Sequence, residues 1–306
     1  MRNTGIGEAE VTIREVGPRD GLQGERPLPT GERASLVLGL ARAGCRRIEA
    51  ASFVSEKAVP AMAGGGDVIR AAKAGFAAGE APRARLTGLV PNLRGATAAI
   101  EAGCDELSVT VAASATYNEK NVRRTIEESV SEIAAICRQA ADAALPVDAV
   151  VSCAFGSPYE GEEIAPVFVA ELAARLVGHG CQAITLADTT GLANPPVLEQ
   201  VVTALNSALP GADLGLHLHE TRGTALLNAY VALELGVRRF DTALGGLGGS
   251  PFAQGAGGNL STEDFVSFLE SIGMTSGIDL AGILELAARL RLLVGHDIAS
   301  KVRANP

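Results

Sequence analysis

A chain of 306 residues, 47 % hydrophobic and 20 % charged, can bury one large core or two ordinary ones and has no signature of disorder. Its formal net charge of -9 opposes nucleic acid and anionic lipid, which leaves a small-molecule partner as the expectation. No apolar run has the length of a membrane span, "MRNTGIGEAE" lacks a signal peptide's apolar core, and five cysteines, an odd number, argue against a disulfide framework; a cytoplasmic setting is expected.

Short β-rich runs recur along the chain: "VTIREV" (11–16), "CRRIEAASF" (45–53), "RLTGLVP" (85–91), "DELSVTVAA" (105–113), "VDAVVSCAF" (147–155), "CQAITLAD" (181–188), "ADLGLHLHE" (212–220) and "RRFDTALGG" (238–246). Stretches with helical spacing, such as "GERASLVLGLARAG" and "APVFVAELAARLVGHG", separate most of them. Four helix-to-strand joins carry a glycine, Gly44, Gly103, Gly180 and Gly236, where a helix would end in the left-handed conformation. Eight strands alternating with helices and uninterrupted by a linker predict a TIM (β/α)8 barrel, with a doubly wound open sheet as the alternative. With no Trp and few aromatics, its core is expected to consist of Ala, Val, Leu and Ile. After the eighth strand, "LSTEDFVSFLESIG" and "DLAGILELAARLRLLVGHD" read as two successive helices. Residues 1–275 are therefore expected to form the barrel, and 276–306 a C-terminal helical extension packed on it.

Active sites of such barrels gather at the C-terminal ends of the strands. Those positions hold Arg19 and Asp20 after strand one, Glu49 on strand two, Asp188 and Thr189 after strand six, His217 and His219 at the end of strand seven, and Ser250 and Asn259 in the glycine-rich stretch beyond strand eight. His217 and His219 are two apart on a strand, so both side chains point to one face. Half of the four histidines thus converge where strand one offers a carboxylate, which predicts a divalent-metal pair. Asp20 would add a hard oxygen and Asn259 an amide oxygen, a mixed N2O2 set suited to octahedral Mg2+ or Mn2+. Arg19 stays charged at any working pH and can stabilise an oxyanion, or simply pair with Glu49 or Asp20. His179 and His296 read as surface or capping residues. Cys45, Cys104 and Cys181 fall at strand starts, Cys137 on a helix and Cys153 inside strand five, none in a nucleophile's setting.

Together, "VGPRDGLQGE", "IEAASFVSEK", "SPYEG", "ADTTG", "HLHETRGTALLNAYVALELGV" and "GGLGGSPFAQGAGGNLSTED" resemble the 3-hydroxy-3-methylglutaryl-CoA lyase family, from about residue 10 to about residue 270. The resemblance implies a metal-dependent carbon–carbon lyase on a (β/α)8 barrel, related to isopropylmalate and homocitrate synthases. It implies metal ligation by Asp20, His217, His219 and Asn259, enolate stabilisation by Arg19, and orientation of that arginine by Glu49. It also assigns His217 to the substrate's hydroxyl proton and makes Glu263 an acid needed for activity. Gln23, Asp188 and Thr189 stand as further substrate-binding candidates. Lys57 and Asn121, with Lys120 and Arg124, could meet the phosphates of coenzyme A. Relatives are commonly dimers, and a homodimer is expected by that analogy.

Three positions depart from the family's pattern: Ser250 replaces a loop cysteine that would protonate the enolate, Ser157 replaces another cysteine, and Ala115 a glutamate. A serine hydroxyl is a much weaker acid than a thiol. The expected substrate is 3-hydroxy-3-methylglutaryl-CoA, cleaved to acetoacetate and acetyl-CoA. The alternatives are citramalyl-CoA, cleaved to pyruvate and acetyl-CoA, a Claisen-type condensing synthase, and an impaired barrel that only binds metal and acyl-CoA. The glycines around Ser250 are expected to let the loop pass close to the metal as a lid, with a phosphate cradle as the alternative.

Overall fold

In the computed structural model, which describes residues 10–249 and 257–303, eight parallel strands close into a barrel in sequence order. They are β1 (Thr12–Glu15), β2 (Arg47–Ser52), β3 (Arg85–Leu89), β4 (Glu106–Ala112), β5 (Val147–Ser152), β6 (Ala183–Ala187), β7 (Asp213–His217) and β8 (Arg239–Thr242), and β1 pairs with β8 through Thr12–Arg239 to Glu15–Thr242. All eight predicted runs thus form strands, shorter than the quoted stretches because backbone pairing stops where the loops begin. The helices are α1 (Thr30–Arg42), α2 (Gly65–Ala77), α3 (Leu93–Ala102), α4 (Ala115–Val122), α5 (Ile126–Asp142), α6 (Pro166–Gly178), α7 (Pro195–Ala208), α8 (Ala225–Glu234), α9 (Thr262–Ser271) and α10 (Leu280–Val294).

Local chemistry explains where these elements start and stop. Helix α5 opens with a full capping box, Thr125 and Glu128 each bonding the other's backbone N–H, and Val130, Ile133, Cys137 and Ala140 make its buried stripe. Asn92 and Asp279 cap α3 and α10 more simply, their side chains accepting from first-turn N–H groups. The four join glycines have φ from +87° at Gly103 to +105° at Gly180. Cys153 lies one residue beyond β5, not inside it, and takes a φ of +56°.

Apolar side chains fill the layer between strands and helices, as composition predicted. The barrel interior does not follow that expectation. Arg14, Asp148, Thr185, Arg239 and Asp241 are buried there in one hydrogen-bonded group. Parallel strands place alternate residues inside the barrel, so a charge on the inward row is retained only with a partner across it.

Helix α10 lies against α1, where Gly39 leaves room for Leu286, and Arg289 pairs with Glu32 at 2.9 Å. A Cβ at Gly39 would stand 2.8 Å from Leu286 Cδ1. Gly39→Val is expected to destabilise the fold by about 1–3 kcal/mol through overpacking. Urea titration checks this, and an unchanged midpoint would show that α10 yields without loss.

Candidate active site

Past β1 the chain makes one wide π-helical turn, Gly17–Gly21, with the N–H groups of Asp20 and Gly21 both bonded to Val16 O. This turn delivers Arg19 and Asp20 to the barrel mouth. Arg19 Nε donates to Glu49 Oε2 at 2.6 Å, its Nη2 also contacts that oxygen, and Nη1 donates to Asp20 Oδ1 at 2.6 Å. Gln23 Nε2 adds a bond to Asp20 Oδ1 at 2.9 Å. Burial alone would raise Asp20, but Arg19, His217 and His219 outweigh it and hold the carboxyl below its ordinary range.

His217 ends β7, and His219 follows on the same face. Their Nε2 atoms stand 3.2 Å apart, and His217 Nε2 is 3.9 Å from Asp20 Oδ2. Residues 257–262 run back alongside, with Leu260 N donating to Leu218 O and Glu220 N to Gly258 O, which seats Asn259 opposite His219. Asn259 Nδ2 donates to Asp20 Oδ2 and to Leu247 O, both at 2.7 Å, while its buried Oδ1 has no hydrogen-bond partner among the described residues.

The outer nitrogens fix the tautomers. His219 Nδ1 faces Thr189 O at 3.2 Å, and a carbonyl only accepts, so this nitrogen carries the proton. His217 Nδ1 faces Asp241 Oδ2 at 3.2 Å and donates likewise. With each Nδ1 turned to an acceptor, the two Nε2 atoms face each other, which repels unless a cation or a proton lies between them. A separation of about 3.0–3.2 Å also suits neighbouring ligands held about 2.1–2.3 Å from one ion. Burial and the neighbouring His217 lower His219 to about 4, so protonating that ring is costly. Asp20, His217 and His219 have ligand atoms within 4.8 Å of one another, and the unpartnered Asn259 Oδ1 completes an N2O2 donor set that fits a divalent cation.

The glycines beside the group allow its compactness. A Cβ on Gly248, at φ +107°, would lie 2.3 Å from Asn259 Nδ2, and one on Gly258 would lie 1.9 Å from Gly246 O. The described parts of the loop thus touch the donor set through bare backbone. Ser250, for which a catalytic role was expected, lies outside the described residues.

Other expected residues are placed differently. Glu263 is buried on the first turn of α9, where both its oxygens accept from Gly245 N at 3.0 Å and Oε2 also accepts from Ser261 Oγ at 3.1 Å. These bonds spend its carboxylate on the strand-eight loop, so the geometry favours bracing over contact with substrate. Thr189 orients His219 through its carbonyl, and its hydroxyl accepts from Cys153 N at 2.9 Å instead of facing the mouth. His217 was expected both as ligand and as base. One lone pair cannot hold a cation and take a proton at the same moment, so the ligand role is favoured. Asp188, beside it, accepts from Ala193 N, and burial lifts it to about 6 with Oδ2 unpartnered, a carboxyl poised to hold a proton.

Lys57 is exposed on the loop between β2 and α2, and Asn121 is half-buried near the end of α4; no hydrogen bond of the cluster reaches either. Lys120 Nζ sits 4.1 Å from the Tyr159 ring centre, and Arg124 bonds Pro91 O at 3.0 Å. Ser157 joins Ser114 at 3.2 Å, and both hydroxyls bond Glu162. Glu162 also accepts from Thr116 N at 3.2 Å, so a carboxylate stands over the first turn of α4, beside Ala115. All five cysteines are buried and free, with burial pushing the Cys104 and Cys153 thiols to about 12. Sequence reasoning missed Asp241 and Arg14, which stand behind His217. The signal was there in "RRFDT", where Arg239 and Asp241 flank Phe240 on the inward row of a strand.

The HMGL-like family matches residues 10–290. The mitochondrial hydroxymethylglutaryl-CoA lyase of Macaca fascicularis is 41% identical, over 96% of this chain and 88% of that one. The hydroxymethylglutaryl-CoA lyase of Pseudomonas mevalonii is 40% identical, over 93% of each chain. Among solved structures, an HMG-CoA lyase from Acinetobacter baumannii in complex with coenzyme A and 3-methylmalate superposes with a TM-score of 0.89 at 41% identity, covering 95% of this chain and 93% of that one. The chain belongs to the HMGL-like family and carries the barrel of its carbon–carbon lyases.

Proposed function

We propose that this chain cleaves 3-hydroxy-3-methylglutaryl-CoA to acetoacetate and acetyl-CoA, with Mg2+ or Mn2+ held by Asp20, His217, His219 and Asn259. The observation that carries this reading is the pair of Nε2 atoms turned toward each other at 3.2 Å beside Asp20 and an unpartnered amide oxygen. A divalent ion there would supply a Lewis acid that lowers the pKa of the substrate hydroxyl and fixes its orientation.

The protein's own groups supply the rest. Cleavage of a tertiary alcohol β to a thioester begins with loss of the hydroxyl proton and leaves a ketone and a thioester enolate. Arg19, locked by Glu49, presents a permanent positive charge beside the donor set, where the enolate oxygen's charge develops. Asp188 is a buried carboxyl at this end of the barrel suited to taking or returning a proton near neutral pH. The enolate carbon must then be protonated, the step the resemblance assigns to the residue at Ser250. The expected setting is the cytoplasm, with acyl-CoA as partner and a homodimer as the assembly.

The test is an assay of the purified protein before and after chelation, with Mg2+ or Mn2+ added back. Acetoacetate and acetyl-CoA released from 3-hydroxy-3-methylglutaryl-CoA, lost with chelator and restored by the ion, is the expected result. Pyruvate from citramalyl-CoA with no turnover of the first substrate would overturn the substrate assignment. Turnover that survives chelation would overturn the role of the ion.

A further inference from the structure

Arg14 is almost wholly buried inside the barrel, on β1 and beneath the cation group. Its Nε and Nη2 grip the two oxygens of Asp241, at 2.8 Å and 2.7 Å, in a two-pronged contact. Its Nη1 reaches Asp148 Oδ2, and Asp148 accepts a further bond from Arg239 at 3.1 Å. Asp241 Oδ2 is in turn the acceptor for His217 Nδ1. A buried carboxylate bonded only to an imidazole could rotate out of the ring's plane. The arginine fork fixes the position and plane of the Asp241 carboxylate, and these decide which way the imidazole turns.

We propose that Arg14 is a positioning residue for the cation group: it clamps Asp241, and Asp241 holds the His217 ring with Nδ1 toward that carboxylate and Nε2 toward Asp20 and His219. The inference rests on the reading that this group binds a divalent ion, and adds a contributor one contact further back than any ligand's direct partner. Partners of a metal-bound histidine typically shift metal affinity by about 10–100-fold when removed. Arg14 acts through such a partner, so its loss belongs at about the lower bound, roughly ten-fold.

The measurements are the Mn2+ affinity of the full-length protein, read by electron paramagnetic resonance of the free ion, and the 15N spectrum of His217 in metal-free protein labelled at histidine. In Arg14→Met the affinity is expected to fall about ten-fold, and the His217 signal to leave the pattern of a proton on Nδ1. Glu106→Gln disturbs another buried ion pair of the barrel, that of Glu106 with Arg47 at 2.7 Å, and touches none of Arg14, Asp241 and His217; it is expected to keep the affinity and the His217 signal. If Arg14→Met does not fold, Arg14→Lys, which keeps the charge but loses the fork, carries the test with a smaller shift in the same direction.

Wild-type affinity and an unchanged His217 signal in the folded Arg14 variant would overturn the proposal. So would an equal loss in Glu106→Gln, since that would make the effect a general one of the buried charges. A wild-type protein that binds no Mn2+ would instead overturn the cation reading, and the metal-free His217 signal would still decide what Arg14 does.

Discussion

His219→Ala is expected to abolish divalent-cation binding and, with it, turnover. The ring supplies one of two Nε2 atoms facing each other at 3.2 Å, and no other described side chain stands ready to replace it. Removing a ligand should exceed the roughly 10–100-fold seen when a ligand's partner is lost. Linkage gives a second readout. At about 100 times its dissociation constant, Mn2+ should stabilise the wild-type fold by about 2.7 kcal/mol. The same concentration should leave the variant's unfolding midpoint unmoved. Asp20→Ala should behave alike, with the added effect that Arg19 loses its second acid. Denaturation curves with and without Mn2+ would decide the matter, and a variant still stabilised by the ion would remove His219 from the donor set.

The second large effect concerns Arg19. Its guanidinium holds Glu49 through Nε and Nη2 and Asp20 through Nη1, a three-way contact that a single ammonium cannot reproduce. Arg19→Lys is therefore expected to lower kcat by about 10²–10³-fold, the range for losing one aligned oxyanion donor. Cation affinity should change by less than about ten-fold, because no ligand is removed. Steady-state kinetics at saturating metal would separate the two effects. An unchanged kcat with a raised KM would assign Arg19 to substrate binding instead of to developing charge.

The opposite behaviour of these two variants separates the two halves of the site. His219 belongs to the ion, whereas Arg19 belongs to the charge that forms during reaction. The neighbouring acids divide the same way. Asp20 is held ionised by Arg19 and the histidines against the effect of its burial, while Asp188, buried with one oxygen unpartnered, is lifted to about 6.

Much of this was legible in the chain. Alternating β-rich and helical runs with glycine joins specified eight βα units, because each unit's periodicity and caps are local properties. The His-x-His spacing placed two imidazoles on one face for the same reason, and the rule that barrels work at their strand ends brought Asp20, Arg19 and Glu49 toward them. Residue chemistry alone thus determined the barrel, the ends of the strands that matter and the nature of the donors.

Only the tertiary structure decided how those donors are held. Arg14 and Asp241 are 227 residues apart in sequence and meet because closure sets β1 beside β8; no local pattern pairs them. Glu263 reads as an acid near the site, yet its carboxylate turns to the backbone of Gly245 once α9 packs under that loop. Thr189 likewise reads as a hydroxyl at the mouth and serves through its carbonyl. Sequence spacing tells which face of an element a side chain occupies. Which of its atoms are already spent depends on neighbours brought from elsewhere in the chain, and that depends on the closed barrel.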